Sequence, residues 1–564
     1  MTLVLLLYVP AHATQTADAR YEALAQRFFE SGFRESPSSA TAVGVHAYDA
    51  QLDDMSAAAI AAHLRRERRA LRLLGRMNAR TLSRDTGLDR TLLMNTIDDD
   101  ILLTDTLAQW KHNPDMYTGI ASGALYSLIE RKFAPPGTRM RSAIARERAI
   151  PRLFAQARAN LRSVDAATKD VAYEDAVGSI GFVQHDVPLA FGGVKDAGLW
   201  SQLRASTANA SQALRRYAAF IKKIEPRGTY AIGADAYRKR LQYEDAVTLP
   251  LADYLAVGER ALGRTRAQFI AATKRVDPRK SSRAVYAGLT LDHPAPGHLL
   301  ATATGDLMRL RAFVIARRIV TLPSDANITV VKTPPFERAF VTAQEDSPGP
   351  LETVATQSYY NVTPVDSSWP RVRQEGFLSQ FNHYQFPIIS AHEVYPGHFV
   401  NFSIERRLPL SLTRKLTTSS EFAEGWAHYS EQMMVDEGWG GGDPRVRTVQ
   451  LQEAMLRECR YIVGVQLHTG GWTLKRAENF FTDQCFDTPA VALEETMRGT
   501  QDPMYGYYTL GKLMILKLRD DYRRKMGSAY TLQGFHDALL AHGDPPLPYL
   551  RPMLLGRSDD GKPL

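Results

Sequence analysis

Two histidines and two glutamates carry the most distinctive chemistry in this chain. His392-Glu393-Val394-Tyr395-Pro396-Gly397-His398 joins a His-Glu pair to a second imidazole, and Glu421-Phe-Ala-Glu424-Gly-Trp-Ala-His428 follows it. Two imidazoles and a downstream carboxylate can hold a metal ion, and that ligand set favours zinc. A catalytic zinc site uses three protein ligands and keeps one position open, where bound water falls to a pKa near ~7 and becomes a nucleophile. Glu393, beside the first histidine, is placed to take that water's proton. The pattern points to a metallopeptidase centre.

The spacing is non-standard. In H-E-x-x-H the histidines lie four residues apart on one helical face. Here they are six apart, and at about 100° per residue a regular helix would turn them away from each other. Pro396 interrupts a helical ladder and Gly397 tolerates unusual dihedrals, so a bulge or break between Tyr395 and His398 is needed for both rings to reach one metal. The competing reading makes His392 and His398 ordinary helix and loop histidines, with Pro-Gly as a plain helix stop.

The segment Ser419 to Met434 spaces Phe422, Trp426, Tyr429 and Met433 as an amphipathic helix, which offers Glu424 as the third ligand. Glu421, one turn earlier, competes for that role, although an acid at this position also suits the helix dipole. His428, one turn later, either orients the ligand from behind or packs as a helix histidine.

Four ordered motifs over about residues 392 to 511 resemble the DUF 885 family. They are H-E-x-Y-P-G-H, E-G-W-A-x-Y, an Arg-rich helix ending in Leu467-His-x-x-Gly-Trp-Thr473, and a Tyr-rich segment ending in Tyr508-x-Leu-Gly511. Weaker family-like stretches lie upstream at Ile232 to Leu241, Thr333-Pro-Pro-Phe336 and Tyr359-Tyr-Asn-Val-Thr363. Members of that family are similar to zinc peptidases of the thimet oligopeptidase and Taq-type carboxypeptidase kind. The resemblance implies that His392, His398 and Glu424 carry Zn2+, that Glu393 is the general base, and that His468 and Tyr508 line the site. It also implies a helical bowl with a deep channel that admits short peptides. Where family members often show Asp-Thr-Gly-Leu-His, this chain has Gly464-Val-Gln-Leu-His468, which leaves the histidine without its local acid.

The same residues suit the chemistry on their own terms. Hydrolysis of a peptide builds a negatively charged tetrahedral intermediate, which a neutral histidine or a tyrosine hydroxyl can stabilise by a few kcal/mol. His468 and Tyr508 are the candidate donors, with Tyr507 and Tyr505 behind them, against a bland reading of Tyr505-Gly-Tyr-Tyr508 as a packed loop. Arg498 and Arg460 offer forks for a substrate carboxylate, although a structural ion pair is the expected role of Arg460. Tyr360 lies in a β-prone run that either aligns a peptide along an exposed strand edge or forms an ordinary strand.

The rest of the chain bounds the context. Leu3 to Val9 is apolar and Ala11-His-Ala13 resembles a cleavage site, so residues 1 to 13 read as a secretory signal without its usual basic start, and the mature chain is expected in the periplasm or outside the cell. A buried N-terminal segment of a cytosolic protein is the alternative. No other stretch approaches the ~20 apolar residues of a membrane span. Cys459 and Cys485 exclude a cysteine metal site and allow one disulfide or two buried thiols.

At 564 residues and 44% hydrophobic content the chain can bury a large core. Long Ala-, Leu-, Arg- and Glu-rich stretches with helical periodicity predict a mainly α protein with a small β-sheet beside a zincin-like helix pair. Residues 14 to 340 are expected to build one wall and 341 to 564 to carry the metal. The net charge of +8 comes with no nucleic-acid-binding motif, and the basic run His63 to Arg72 reads as a solvated helix face. Oligomeric state is open. Two functional alternatives stand beside a short-peptide zinc peptidase: a zinc hydrolase of another amide or ester, and a non-catalytic envelope binding protein. The joint presence of three ligands and a base argues against the last.

Overall fold

A computed structural model describes residues 16–334, 338 and 341–564. The expected signal segment lies outside these residues, as do Pro335 and Phe336 of one family-like stretch. Helix accounts for 69% and strand for 3% of the chain, which places it in the mainly α class with one small sheet. No helix among the described residues is long and apolar enough to cross a membrane.

Helices from Ala17–Glu35 to Ala197–Lys222 form the N-terminal part. Their starts are fixed by side chains that satisfy otherwise orphaned N–H groups: Ser56, Ser83, Asp165 and Asp196 each accept from the backbone nitrogen three residues on. The apolar faces of the helices from Asp115 onward close on a core that includes Tyr117, Leu125, Met140, Phe154, Leu214 and Tyr217, all fully buried, while Tyr21, Leu74, Leu93 and Ile97 of the earlier helices form a smaller cluster.

A second, larger core begins at Tyr237 and runs to Leu555. The helices Ala234–Asp245, Leu251–Val276 and Leu299–Ala316 contribute Leu241, Tyr254 and Leu310 to it, alongside Phe386, Trp426 and Met514 of the motif region. This core thus draws on helices from residue 234 onward. The apolar faces between 234 and 316 join the core of the motif helices, and the helix Ala234–Asp245 also packs on Arg84–Ile101 of the N-terminal part, where Arg240 meets Asp99 at 3.5 Å.

The sheet holds β1 (Ile328–Lys332), β2 (Ala343–Asp346) and β3 (Ser358–Val362) in the order β1-β3-β2. β3 pairs parallel with β1 and antiparallel with β2. The strand expected to present an exposed edge is thus the central one. Tyr360 is correspondingly fully buried, and its hydroxyl lies 3.1 Å from Ser390 Oγ, so it anchors strand to helix and does not face a substrate. The edge beside the motif helices belongs to β2.

Cys459 and Cys485 form a disulfide between the helix Pro444–Thr469 and the end of Leu474–Gln484. It closes a loop of 26 residues, for which chain entropy gives a stabilisation of about 3.5 kcal/mol. The double variant Cys459→Ala/Cys485→Ala is expected to lose about that much in urea denaturation. An unchanged midpoint would show that the bridge contributes nothing.

Candidate metal centre

The first histidine helix, Phe386–Glu393, stops at the motif, and the second histidine helix, His398–Glu405, restarts after it. The break demanded by the six-residue spacing falls at Val394 to Gly397, with a cis Tyr395-Pro396 bond. Glycine is required at 397 because a Cβ there would sit 1.6 Å from the His392 carbonyl oxygen. Trp426 donates from Nε1 to the Pro396 carbonyl at 2.9 Å, which pins the linker to the glutamate helix, Ser420–Asp436. The indole is fully buried in the larger core, a burial that contributes about 2–3 kcal/mol to the fold as a whole.

These contacts bring three side chains to one point. Glu424 Oε2 lies 3.4 Å from His392 Nε2 and 3.3 Å from His398 Nε2. Ligands set tetrahedrally about zinc with bonds of about 2.0–2.1 Å stand roughly 3.3–3.4 Å apart, so the donors are spaced for such an ion. His392 Nδ1 donates to Glu431 Oε1 at 2.7 Å, which turns Nε2 toward Glu424. Glu424 Oε2 is itself buried without a hydrogen-bond partner. Three potential ligand atoms converging on one point could hold a cation between them.

The electrostatics agree. Burial opposes a charge on His392, yet Glu424 and Glu431 outweigh it and draw its pKa up to about 10. The field that would hold a proton there can hold a metal ion. Burial likewise raises Glu424 and Glu431, but His398 and His392 pull the first, and Arg457 with His428 the second, well below the usual carboxylate range. Both remain ionised.

Glu431 is the functional residue that sequence reasoning missed. It lies two turns after Glu424 on the same helical face, and that seven-residue spacing was the available signal. His428, expected behind Glu424, contacts Glu431 instead at 3.2 Å and has Lys512 Nζ at 3.4 Å from its other nitrogen. Burial and Lys512 push its pKa down to about 3, so it is a neutral donor to Glu431 and not a partner of Glu424.

Glu393 accepts the backbone N–H of Glu345 on β2 at 2.9 Å through Oε2. The tyrosine helix, Tyr507–Met526, crosses the glutamate helix with almost no separation, because Gly425 and Gly511 meet where a Cβ would lie 2.5 Å from backbone. This crossing carries Tyr508 to the cluster, with its ring centroid 6.3 Å from that of His392. Arg498, whose side chain is 37% exposed, donates to the hydroxyls of both Tyr507 and Tyr508 at 3.3 Å. Tyr507 in turn donates to Asp502 at 3.2 Å.

Two expected site residues are placed otherwise. Tyr505 is fully buried and packs against Gly464 and Gly499, which removes it from any substrate surface. His468 gives its Nε2 proton to the Gly499 carbonyl at 2.7 Å, and burial pushes its pKa down to about 4. A neutral ring that has donated its one proton cannot donate to a developing oxyanion. Arg460 forms a buried two-point ion pair with Glu495, both bonds 2.6 Å, the structural role expected of it.

Glu421 stands apart from the cluster. Its Oε2 takes the Leu547 N–H at 3.3 Å, and burial pushes its pKa up to about 8. A carboxyl with a raised folded-state pKa favours folding fully below the unfolded value, near ~4.3, and loses that contribution as pH rises through about 8. Glu421→Gln is therefore expected to match wild type at pH 4 and to exceed it at pH 8 by on the order of 2–4 kcal/mol. Thermal melts across that range check the sign.

The chain belongs to the DUF885 family, described as a bacterial protein of unknown function, whose model matches residues 37–554. No curated protein matches it. Among solved structures it is similar to a candidate lipoprotein of unknown function from Shewanella oneidensis, with a TM-score of 0.80 and 23% identity over 95% of this chain and 99% of that one. It is also similar to a candidate lipoprotein from Colwellia psychrerythraea, with a TM-score of 0.79 and 16% identity over 97% and 100% of the two chains. At these identities the likeness establishes a shared fold.

Proposed function

We propose that the protein is a zinc-dependent peptidase of short peptides, with His392, His398 and Glu424 as ligands and Glu393 as general base. The observation that carries this reading is the convergence of three donor atoms, with Glu424 Oε2 at 3.4 and 3.3 Å from the two imidazole nitrogens, backed by Glu431 on His392. Zinc at that point would polarise the scissile carbonyl and acidify water. Glu393 keeps one carboxylate oxygen on the Glu345 N–H, which leaves the other to take the proton of the attacking water and pass it to the leaving amine. Tyr508, beside His392, is the candidate donor to the carbonyl oxygen as it gains charge. The edge of β2 offers backbone groups that can align an extended peptide next to the base. Arg498 is the candidate fork for a terminal carboxylate, which would make the enzyme a carboxypeptidase or dipeptidase.

An envelope or secreted location is supported by the apolar N-terminus of the chain and by the lipoprotein descriptions of its structural neighbours. The test of the function is elemental analysis of purified protein, followed by a panel of short peptides, esters and non-peptide amides. About one zinc per chain with peptide cleavage supports the reading. Protein that stays metal-free after zinc supplementation overturns it, and cleavage of esters alone moves the assignment to another class of zinc hydrolase.

A further inference from the structure

A cavity of about 640 Å³ opens at the start of β3 and beside the second histidine helix. Its lining includes four basic residues, Arg131, Lys132, Arg406 and Arg407, and one acid, Asp325. Two of the cations are neutralised. Arg131 pairs with Asp346, and Arg407 meets Asp325 at 2.9–3.0 Å.

The other two are not. Arg406 gives its guanidinium to the carbonyls of Pro348, Gly349 and Glu352 at 3.1–3.2 Å and has no carboxylate bonded to it. The Glu352 carboxylate, whose charge reaches Arg406, is engaged with His46 at 3.0 Å and with the N–H groups of Val354 and Ala355. Arg131 and Arg407 add like-charge repulsion to Arg406. Lys132 is exposed and carries no ion-pair partner among the described residues. Two cations with no carboxylate bonded to them among the described residues, in a polar cavity, are a seat for an anion.

The cavity is tied to the proposed catalytic edge. Glu345 of β2 touches Glu393, the next residue, Asp346, is held by Arg131, and Pro348 and Gly349 are held by Arg406. Four residues of chain from Glu345 to Gly349 reach at most about 13 Å. Along the second histidine helix, His398 to Arg406 is about 12 Å. The two routes agree.

We propose that this cavity is a subsite for the carboxylate side chain of a peptide, three or four residues from the bond that is cut. The inference rests on the peptidase reading. It gives the enzyme a preference for acidic peptides that the metal centre alone would not create.

The test uses alanine heptapeptides carrying one Glu or one Gln at each position, with free or amidated C-termini. Binding to the Glu393→Gln protein is measured by calorimetry at low salt. The Glu peptides of one register are expected to bind at least tenfold more tightly than their Gln counterparts, amidated or not. Lys132→Glu, an exposed substitution, should abolish that preference and leave the Gln peptides unaffected. Equal binding of Glu and Gln peptides overturns the proposal, as does a preference that survives in Lys132→Glu. A preference that follows only the free C-terminus also overturns it, because the anion recognised is then the terminal carboxylate. If wild type cleaves no peptide but the preference is present, the peptidase reading fails and the cavity is a seat for acidic peptides, no longer a subsite of a scissile bond. If it cleaves Glu and Gln peptides equally well and binds them equally, the subsite alone fails.

Discussion

Glu393→Gln is expected to lower kcat for peptide hydrolysis by about 10²- to 10⁴-fold while zinc content stays at the wild-type level. The substitution keeps the side chain's volume, and the amide oxygen can still accept the Glu345 N–H that holds Glu393 in place. What it removes is the basic oxygen that takes a proton. Because the three proposed ligands are untouched, the loss falls on the chemical step, with KM changed little. The measurement is steady-state kinetics on a cleaved peptide beside elemental analysis of the same preparation. A variant with full zinc and near wild-type kcat would falsify the assignment of the base.

The second large effect separates a ligand from the residue that orients one. Glu424→Ala removes the carboxylate on which both imidazoles converge, and zinc is expected to fall to background with activity lost. Glu431→Gln leaves all three donors but replaces the anion that accepts the His392 Nδ1 proton at 2.7 Å. Loss of such an outer partner typically weakens metal affinity 10- to 100-fold. The graded result is therefore a variant that loads zinc fully at high free metal and loses it to a chelator sooner than wild type does. Competition titration with a zinc chelator reads both. If Glu424→Ala retained zinc at wild-type affinity, the ligand set would be wrong. If Glu431→Gln behaved as wild type, the His392–Glu431 bond would have no bearing on the metal.

Several parts of this arrangement were legible along the chain because they depend on local order. The His-Glu pair, the second histidine and Glu424 sit in short segments, and Pro396-Gly397 announced a helix break that the structure places at Val394 to Gly397. Helical class followed from periodicity over long stretches. Arg460 was expected to form an ion pair and does.

Other parts depend on which elements meet, and there the one-dimensional pattern was silent or misleading. Tyr359 to Val362 had the composition of a strand, but nothing local tells an edge strand from a central one. Strand order is set by the crossovers that put β3 between β1 and β2. Tyr505 and Tyr508 are chemically identical and three residues apart. One is packed among Gly464 and Gly499, and the other reaches His392 because the tyrosine and glutamate helices touch through Gly425 and Gly511. His468 had a plausible sequence context, yet a single carbonyl, Gly499, takes its proton.

By itself the sequence determined the residue types, the helix break and the candidate ligands, since these rest on local backbone rules and on which atoms can bind a metal. Only the tertiary structure decided that Glu431 backs His392, that β2 borders Glu393, and that Tyr508 and not Tyr505 or His468 joins the cluster. The physical reason is that hydrogen-bond partners and close approach of backbones are properties of pairs of segments far apart in the chain, and each is fixed only when both segments are packed.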